Sequence, residues 1–583
     1  MLLATGALSL LALCAGRANG QVVLFPLLVQ DQPVPGLPAG YTAAPAGNAY
    51  VNARGVLLIP AQLSGPGIVS GNNSTVELTG SISALSVVSQ DGMTVPGAPS
   101  GDIISTQASN AMPTNSGAAT VSITVTDPVS FNSNSAFWLG VRGAAAYAPG
   151  TPMRIYGSGD GAPAPISSAT ISNASQNPSL SLSGRYAGFV GLTGTGVTTT
   201  TNQAILTGTP GQAPIFAARE GDSAPGIPAN EPGGPAFIYL RDQNTLNINS
   251  AGQILFRAQL VNSSGSSLPF NPTAIYRYEP AGGLTLVARE GNSPGSGTLT
   301  FGTQVFNEQI SMNSSGAVAF QTQQGAGSGN FVVWAGAAGS LVPAAQSNSQ
   351  APGLPSGVQY VNTNGFSNTF DGLRIADNGS LAFLAYLTGT GVTSSNSRAI
   401  FTGPPGSVQS LARLGDQAPG APTGAVFTSF FSVAINANGR VAFAASDSLS
   451  SGIPGGIWAQ DNSKTLRKIA RVGDTVSIGG VGKTISSLVV PATGTGSDGL
   501  QSAFSAGGFL VIPTAFTDGT TDVLIARLGA RSDFNGDGAV TVQDIFDFLA
   551  AWFAHSPSAD FNNSGTVTVQ DIFDFLSAWF AGT

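Results

Sequence analysis

The chain has 583 residues, 42% of them hydrophobic and only 9% charged, with 21 basic against 29 acidic side chains and a net charge of −8. Ordinary soluble domains carry roughly 25% charged residues, so solubility here falls to Gly, Ser, Thr, Asn and Ala, a style of extracellular β-proteins rather than cytoplasmic enzymes. Lysine occurs only at Lys464, Lys468 and Lys483, and with no basic run to neutralise a phosphate backbone, nucleic-acid binding is not expected.

The first element is the apolar stretch Leu8-Ser9-Leu10-Leu11-Ala12-Leu13, followed by the small-residue run Ala15-Gly16-Arg17-Ala18-Asn19-Gly20. This is the pattern of a secretory signal peptide over residues 1–20, cleaved before Gln21, although a basic n-region is missing. A lipoprotein reading would lipidate Cys14, but Leu13 is not the small residue that reading needs. Cys14 is the one cysteine, so the mature chain is expected to have no disulfide. No later stretch offers the roughly 20 apolar residues of a membrane helix. The expected location is secreted or at the cell surface.

Residues 21–530 are dominated by self-similarity. One recurring segment is Ala412-Arg413-Leu414-Gly415-Asp416, with kin at Ala218 to Asp222, Ala288 to Asn292 and Ala470 to Asp474. Taking its Asp or Asn as a marker places copies at 31, 91, 160, 222, 292, 348, 416 and 474, and Arg527 reads as a truncated last copy. A second segment is Asn436-Ala437-Asn438-Gly439-Arg440-Val441-Ala442-Phe443, repeated at Asn313 and Asn249, with a copy at Asp377 that reads as one residue shorter. Asn and Gly supply the positive φ of tight hairpin turns. A third segment, Ala399-Ile400-Phe401-Thr402-Gly403, precedes a Pro/Gly turn. Each unit of about 63 residues therefore predicts four strands, two around each turn.

About eight four-stranded units is the arithmetic of a β-propeller-like array, so the fold class is mainly β. Two smaller propellers or an open β-array remain alternatives. The Asn-x-x-Gly-x-x-Ala-Phe pattern at Asn313 and Asn436 resembles an NxxGxxAF-type tandem repeat family of bacterial surface proteins. That family implies no activity.

Composition shifts in the last region, 531–583. Asp533, Asn535, Asp537, Thr541 and Asp544 place oxygen donors at positions 1, 3, 5, 9 and 12 of a loop, Gly538 turns it at position 6, and Ala539 offers a carbonyl at position 7. This spacing wraps oxygens around one Ca²⁺. A second copy, starting 27 residues on at 560, supplies Asp560, Asn562, Ser564, Thr566, Thr568 and Asp571. It keeps fewer carboxylates, which predicts weaker binding. Helix-period segments follow, Ile545 to Phe553 and Ile572 to Phe580. The bland alternative is a pair of Asp/Asn/Gly turns with Thr541 or Asp544 capping a helix.

Two loop–helix units with Asp at position 12 and no preceding helix resemble the tandem repeats of type I dockerins. The resemblance implies two Ca²⁺ sites, a cohesin-type protein receptor, and docking contributions from Val542, Gln543, Val569 and Gln570. Their identity in the two halves implies docking in either of two orientations.

No catalytic residue stands out. The single histidine, His555, lies between the two calcium units, which excludes histidine-based nucleophile schemes and histidine-rich zinc sites. The repeated acids Asp222, Asp416 and Asp474 read as turn caps or partners of Arg219, Arg413 and Arg471. Glu231, Arg241 and Asp242 are the nearest thing to a non-repeated cluster. The expected function is a β-repeat binding or structural protein, toward glycans or surface proteins, tethered by its C-terminal module. The alternative is a polysaccharide-active hydrolase or lyase carried by that module.

Overall fold

The computed structural model describes residues 23–93, 103–108, 113–115, 119–126, 133–140, 153–174, 179–228, 230, 236–240, 246–268, 272–293, 299–301, 310–324, 330–361, 369–478, 480–489, 498, 502–536, 539–561 and 567–582. They are mainly β, with two α-helices at the C-terminal end. No helix among them is long and apolar enough to cross a membrane. The strands form eight antiparallel sheets of four or five strands, spanning 42–90, 103–157, 169–219, 237–289, 311–346, 358–413, 427–471 and 475–527. The eighth takes its edge strand from the other end of the chain. That strand, β1 (Val23–Val29), runs antiparallel to Thr521–Arg527, with Val23 opposite Arg527. Arg527 therefore ends an inner strand, between β1 and Phe509–Phe516, whereas a marker segment such as Ala412 to Asp416 lies at the end of an edge strand, so Arg527 is no marker copy.

The sixth sheet shows why these sequences make strands. Successive side chains leave a strand on opposite faces. In Leu381–Gly389, Leu381, Phe383, Ala385 and Leu387 pack toward the fifth sheet with Ala319 and Val333. Ala382 and Leu384 pack toward the seventh with Val433 and Phe443. Burial on both faces requires a continuous apolar run rather than an alternating one. The Ala-Phe pair follows the same division. Phe320, Phe383 and Phe443 face the preceding sheet, and Ala319, Ala382 and Ala442 the following one. Each Phe has an aromatic of the third segment directly across the ladder: Trp334, Phe401 and Trp458. The Phe383 and Phe401 rings stack at 5.6 Å and 16°, a geometry contributing about 0.5–1.5 kcal/mol beyond its buried area.

The Asn of the second segment closes its own turn and reaches the next one. Asn313 Oδ1 accepts the Ser315 and Ala317 amides at 3.1 and 2.9 Å, while its Nδ2 donates to the Ala376 carbonyl at 3.0 Å. Asn52, which the sequence pattern missed, does the same, with Nδ2 3.0 Å from the Pro113 carbonyl. Serine substitutes in two turns: Ser181 Oγ accepts the Arg185 amide and Ser505 Oγ the Phe509 amide. In the sixth sheet Ala376 holds the Asn place, closing onto Gly379 and Ser380. The copy at Asp377 is thus of full length, contrary to the sequence reading.

The marker turn links sheets. Gly415 N donates to Phe427 O at 2.9 Å and Phe427 N to Asp416 O at 3.0 Å; Gly221, Ile238 and Asp222 repeat the pair. The equivalent residues elsewhere are Asn348 with Ser349 and Gly92 with Met93, and Asp31 holds the Gly place before Gln32. The markers at 31 and 348 are therefore one residue early, because Asp31 and Asn348 supply the positive φ (62° and 64°) that Gly supplies in the other copies, and the marker at 91 is two early, since Gly92 keeps the Gly place and Met93 follows it.

Apolar clusters join the second sheet to the third, and so on pairwise to the seventh and eighth. A further cluster joins the eighth to the first. The first and second meet at Gly92 and Ile104, bonded at 2.9 Å. Asp498, from the eighth-sheet region, accepts the Leu182 amide at 2.6 Å and also bonds the Ser250 amide, in turns of the third and fourth sheets.

Candidate metal and docking site in the C-terminal module

Two helices carry the site, α1 (Val542–Phe553) and α2 (Val569–Ala581). Each starts three residues before the apolar periodicity does, because Thr541 and Thr568 are extended N-caps (φ −133° and −134°) with Asp544 and Asp571 at the third helical position. Asp544 Oδ2 accepts the Thr541 amide at 2.7 Å, and Asp571 Oδ2 the Thr568 amide at 2.7 Å. An acid in the first turn also suits the helix dipole.

The two halves are related by an internal two-fold pattern. Trp552 Nε1 donates to Thr568 O at 2.7 Å, and Trp579 Nε1 to Thr541 O at 2.8 Å. Phe548 and Phe575 stack at 4.2 Å and 3° on the axis, and Phe534 and Phe561 meet them edge-on. Phe534 and Phe561 occupy position 2 of each loop, a repeat visible in the sequence that ligand counting passed over.

Among the predicted calcium ligands, Asp533 and Asp544 are buried in the first loop. Asp544 Oδ1 also accepts the Asn535 amide at 3.2 Å. Thr541 and Ala539 are exposed. In the second loop Asp571 is buried, Asp560 half-buried and Thr568 exposed. Asp537, Asn562, Ser564 and Thr566 lie outside the described residues, as do Glu231, Arg241 and Asp242. Among the described residues no group of three His, Cys, Asp or Glu is placed to hold a metal. The described donors are carboxylates, an amide and hydroxyls, all hard oxygens of the kind Ca²⁺ takes.

Three arginines, none of them read from the sequence as part of this site, surround the loops. Burial lowers Arg527 to about 10, an effect Arg531 reinforces and Asp533 and Asp544 oppose. Burial likewise lowers Arg440 to about 10 against the pull of Asp533 and Asp461. Burial lowers Arg531 too, opposed by Asp560, Asp574 and Asp571.

The predicted docking residues Val542, Gln543, Val569 and Gln570 are exposed on the first helical turns. Gln543 and Gln570 each donate to the acid four residues on, Asp547 and Asp574, at 2.9 Å. Phe546, Phe553, Phe573 and Phe580 lie on the surface, between 61% and 80% exposed.

The repeated acids cap their own turns: Asp222, Asp416 and Asp474 accept the amides of Arg219, Arg413 and Arg471 at 3.1, 2.9 and 2.9 Å. Arg471 pairs instead with the buried Asp447, at 2.8 and 2.9 Å.

Fold and site define a mainly β array of repeated antiparallel sheets with a helical pair appended. The chain belongs to a family of unknown function, DUF7453, whose model matches residues 51–530. A search of curated proteins finds no match. Among solved structures the chain is similar to the polysaccharide lyase Uly1, at 10% identity over 76% of this chain and 93% of that one, with a TM-score of 0.32. It is also similar to YCF48 from Cyanidioschyzon merolae, at 13% identity, 72% and 98% coverage and a TM-score of 0.24. An α-L-arabinanase from Penicillium chrysogenum, solved with arabinobiose, matches at 12% identity, 59% and 90% coverage and a TM-score of 0.24.

Proposed function

We propose that the protein is a secreted or cell-surface binding protein whose eight sheets are the blades of one ring and whose C-terminal module is a calcium-dependent, dockerin-like tether for a cohesin-type receptor. The observation that carries the tether is the two-fold pairing of Trp552 with Thr568 and Trp579 with Thr541. It presents Val542, Phe546 and Phe553 on one helix and Val569, Phe573 and Phe580 on the other, all exposed. Exposed aromatics of this kind are characteristic interface anchors. Ca²⁺ would be held by Asp533, Asn535, Asp537, the Ala539 carbonyl, Thr541 and Asp544 in the first loop. Asp560, Asn562, Ser564, the Thr566 carbonyl, Thr568 and Asp571 would hold it in the second. When bound, the ion supplies loop order and no chemistry.

A ring is supported by the unbroken sequence of shared cores from the second sheet round to the first, by β1 completing the last sheet, and by Asp498 reaching turns of the third and fourth. The ring would present glycans or surface proteins with a rigid scaffold. The test is binding of cohesin-type domains to the full chain by interferometry, in calcium and in chelator. Calcium-dependent binding supports the tether; binding that chelator leaves untouched, or none at all, removes it.

A further inference from the structure

We propose that the C-terminal module is a clasp that holds the chain's first strand in the β-array, so that loosening the module loosens the edge where β1 joins the eighth sheet. The calcium arm of this proposal rests on the calcium reading above; the clasp does not.

β1 needs such a device. Among the described residues it is an edge strand bonded to one neighbour, and its ladder shifts between Pro26 and Leu28. Proline removes a ladder donor, and edges with few bonds fray first. Yet Phe25, Leu27 and Leu28 are buried, in one cluster with Phe509 of the eighth sheet and with Phe534, Phe548, Phe561 and Phe575 of the module.

Arg527 ties the three parts together. Its guanidinium lies 5.7 Å from the Phe25 ring, 5.3 Å from Phe509 and 5.1 Å from Phe534. One buried cation thus stacks on the first strand, the last sheet and the module at once. Desolvation strengthens contacts of this kind over exposed ones.

Backbone contact across the same interface is close enough to demand glycine. Gly507 N donates to Gly536 O at 3.2 Å. A Cβ at Gly507 would fall 2.3 Å from the Gly536 carbonyl carbon, and one at Gly55 would fall 2.1 Å from the Asn535 oxygen. Gly507 has no positive φ, so its glycine answers to space alone. The exposed faces of α1 and α2 take no part in this interface, so receptor docking and the clasp do not compete.

Hydrogen-exchange mass spectrometry on the full chain tests the clasp, using wild type, Gly507→Ala and the double variant Phe548→Leu/Phe575→Leu. In both variants, peptides covering 23–29 and 521–527 should exchange at least tenfold faster. Peptides from the fourth and fifth sheets, 254–279 and 318–336, should keep wild-type protection. Faster exchange in the module with 23–29 unchanged would overturn the proposal. Chelating calcium in wild type should also free 23–29. If chelator changes nothing while the variants free that strand, the calcium reading fails and the clasp stands.

Discussion

Asn436 and Ser505 stand 69 residues apart in the chain, and the Asn436 amide nitrogen donates to the Ser505 carbonyl at 2.9 Å. The oxygen of the same side chain accepts the Asn438 and Arg440 amides at 3.1 and 2.9 Å. One side chain therefore closes a hairpin and fastens it to the next unit, and Asn supplies both an acceptor and a donor where Asp or Ser supplies less. Asn436→Ala strands several buried partners, so a loss of about 2–4 kcal/mol is expected in urea unfolding. Asn378→Ala, at an exposed turn position bonded to Asn438 O, should cost under about 1 kcal/mol.

Burial also sets a pH dependence. It pushes the Glu220 carboxyl up to about 7, although Leu240 and Gln203 amides bond it at 3.1 Å, and pushes Glu77 up to about 8. Both values lie above the ordinary 4.5, so the native state binds these protons more tightly than the unfolded chain. Their contribution is full below about pH 4.5 and is lost as pH rises through 7 and then 8. Urea midpoints should fall between pH 5 and pH 9, and Glu77→Gln should flatten the upper part of that fall. An unchanged slope in the variant would show that Glu77 does not titrate there.

The Asp447–Arg471 pair works in the opposite sense. The two hydrogen bonds from Arg471 hold the Asp447 carboxyl below its usual range. Its stabilisation is present above the unfolded carboxylate value and is lost as pH falls through the depressed one. Asp447→Ala leaves the Arg471 guanidinium largely buried without its partner, and a loss of about 3 kcal/mol at pH 7 is expected by denaturant unfolding.

On the module, Phe546 and Phe573 occupy matching exposed places. Under the proposed docking in two orientations, either one replaced by Ser should leave receptor affinity within about threefold, because the other orientation would remain. Both replaced should reduce it by 100-fold or more. Circular dichroism should show unchanged helix in all three variants.

The strands, the turns and the helical pair could be read from the chain because each rests on local chemistry: Asn and Gly at tight turns, Val-Ala-Phe runs buried on both faces, a loop–helix pattern repeated after 27 residues. What escaped was substitution within a shared geometry. Asp31 and Asn348 stand in for a left-handed Gly, Ser181 and Ser505 for the turn Asn, and Ala376 for it once more. Spacing alone would not have found Ser505, because its distance of 69 residues from Asn436 exceeds the unit of about 63. The shared core of Phe25, Phe509 and Phe534 escaped for another reason. Those residues come from opposite ends of the chain, and no local pattern announces a contact of that span.

The most direct test of the tether is calorimetric titration of Ca²⁺ into the full-length protein, since the module shares its core with the array. Two binding events are expected, the weaker lost in Asp560→Ala/Asp571→Ala and the tighter in Asp533→Ala/Asp544→Ala. No heat at millimolar Ca²⁺, or heat that survives both double variants, would contradict the calcium-dependent module.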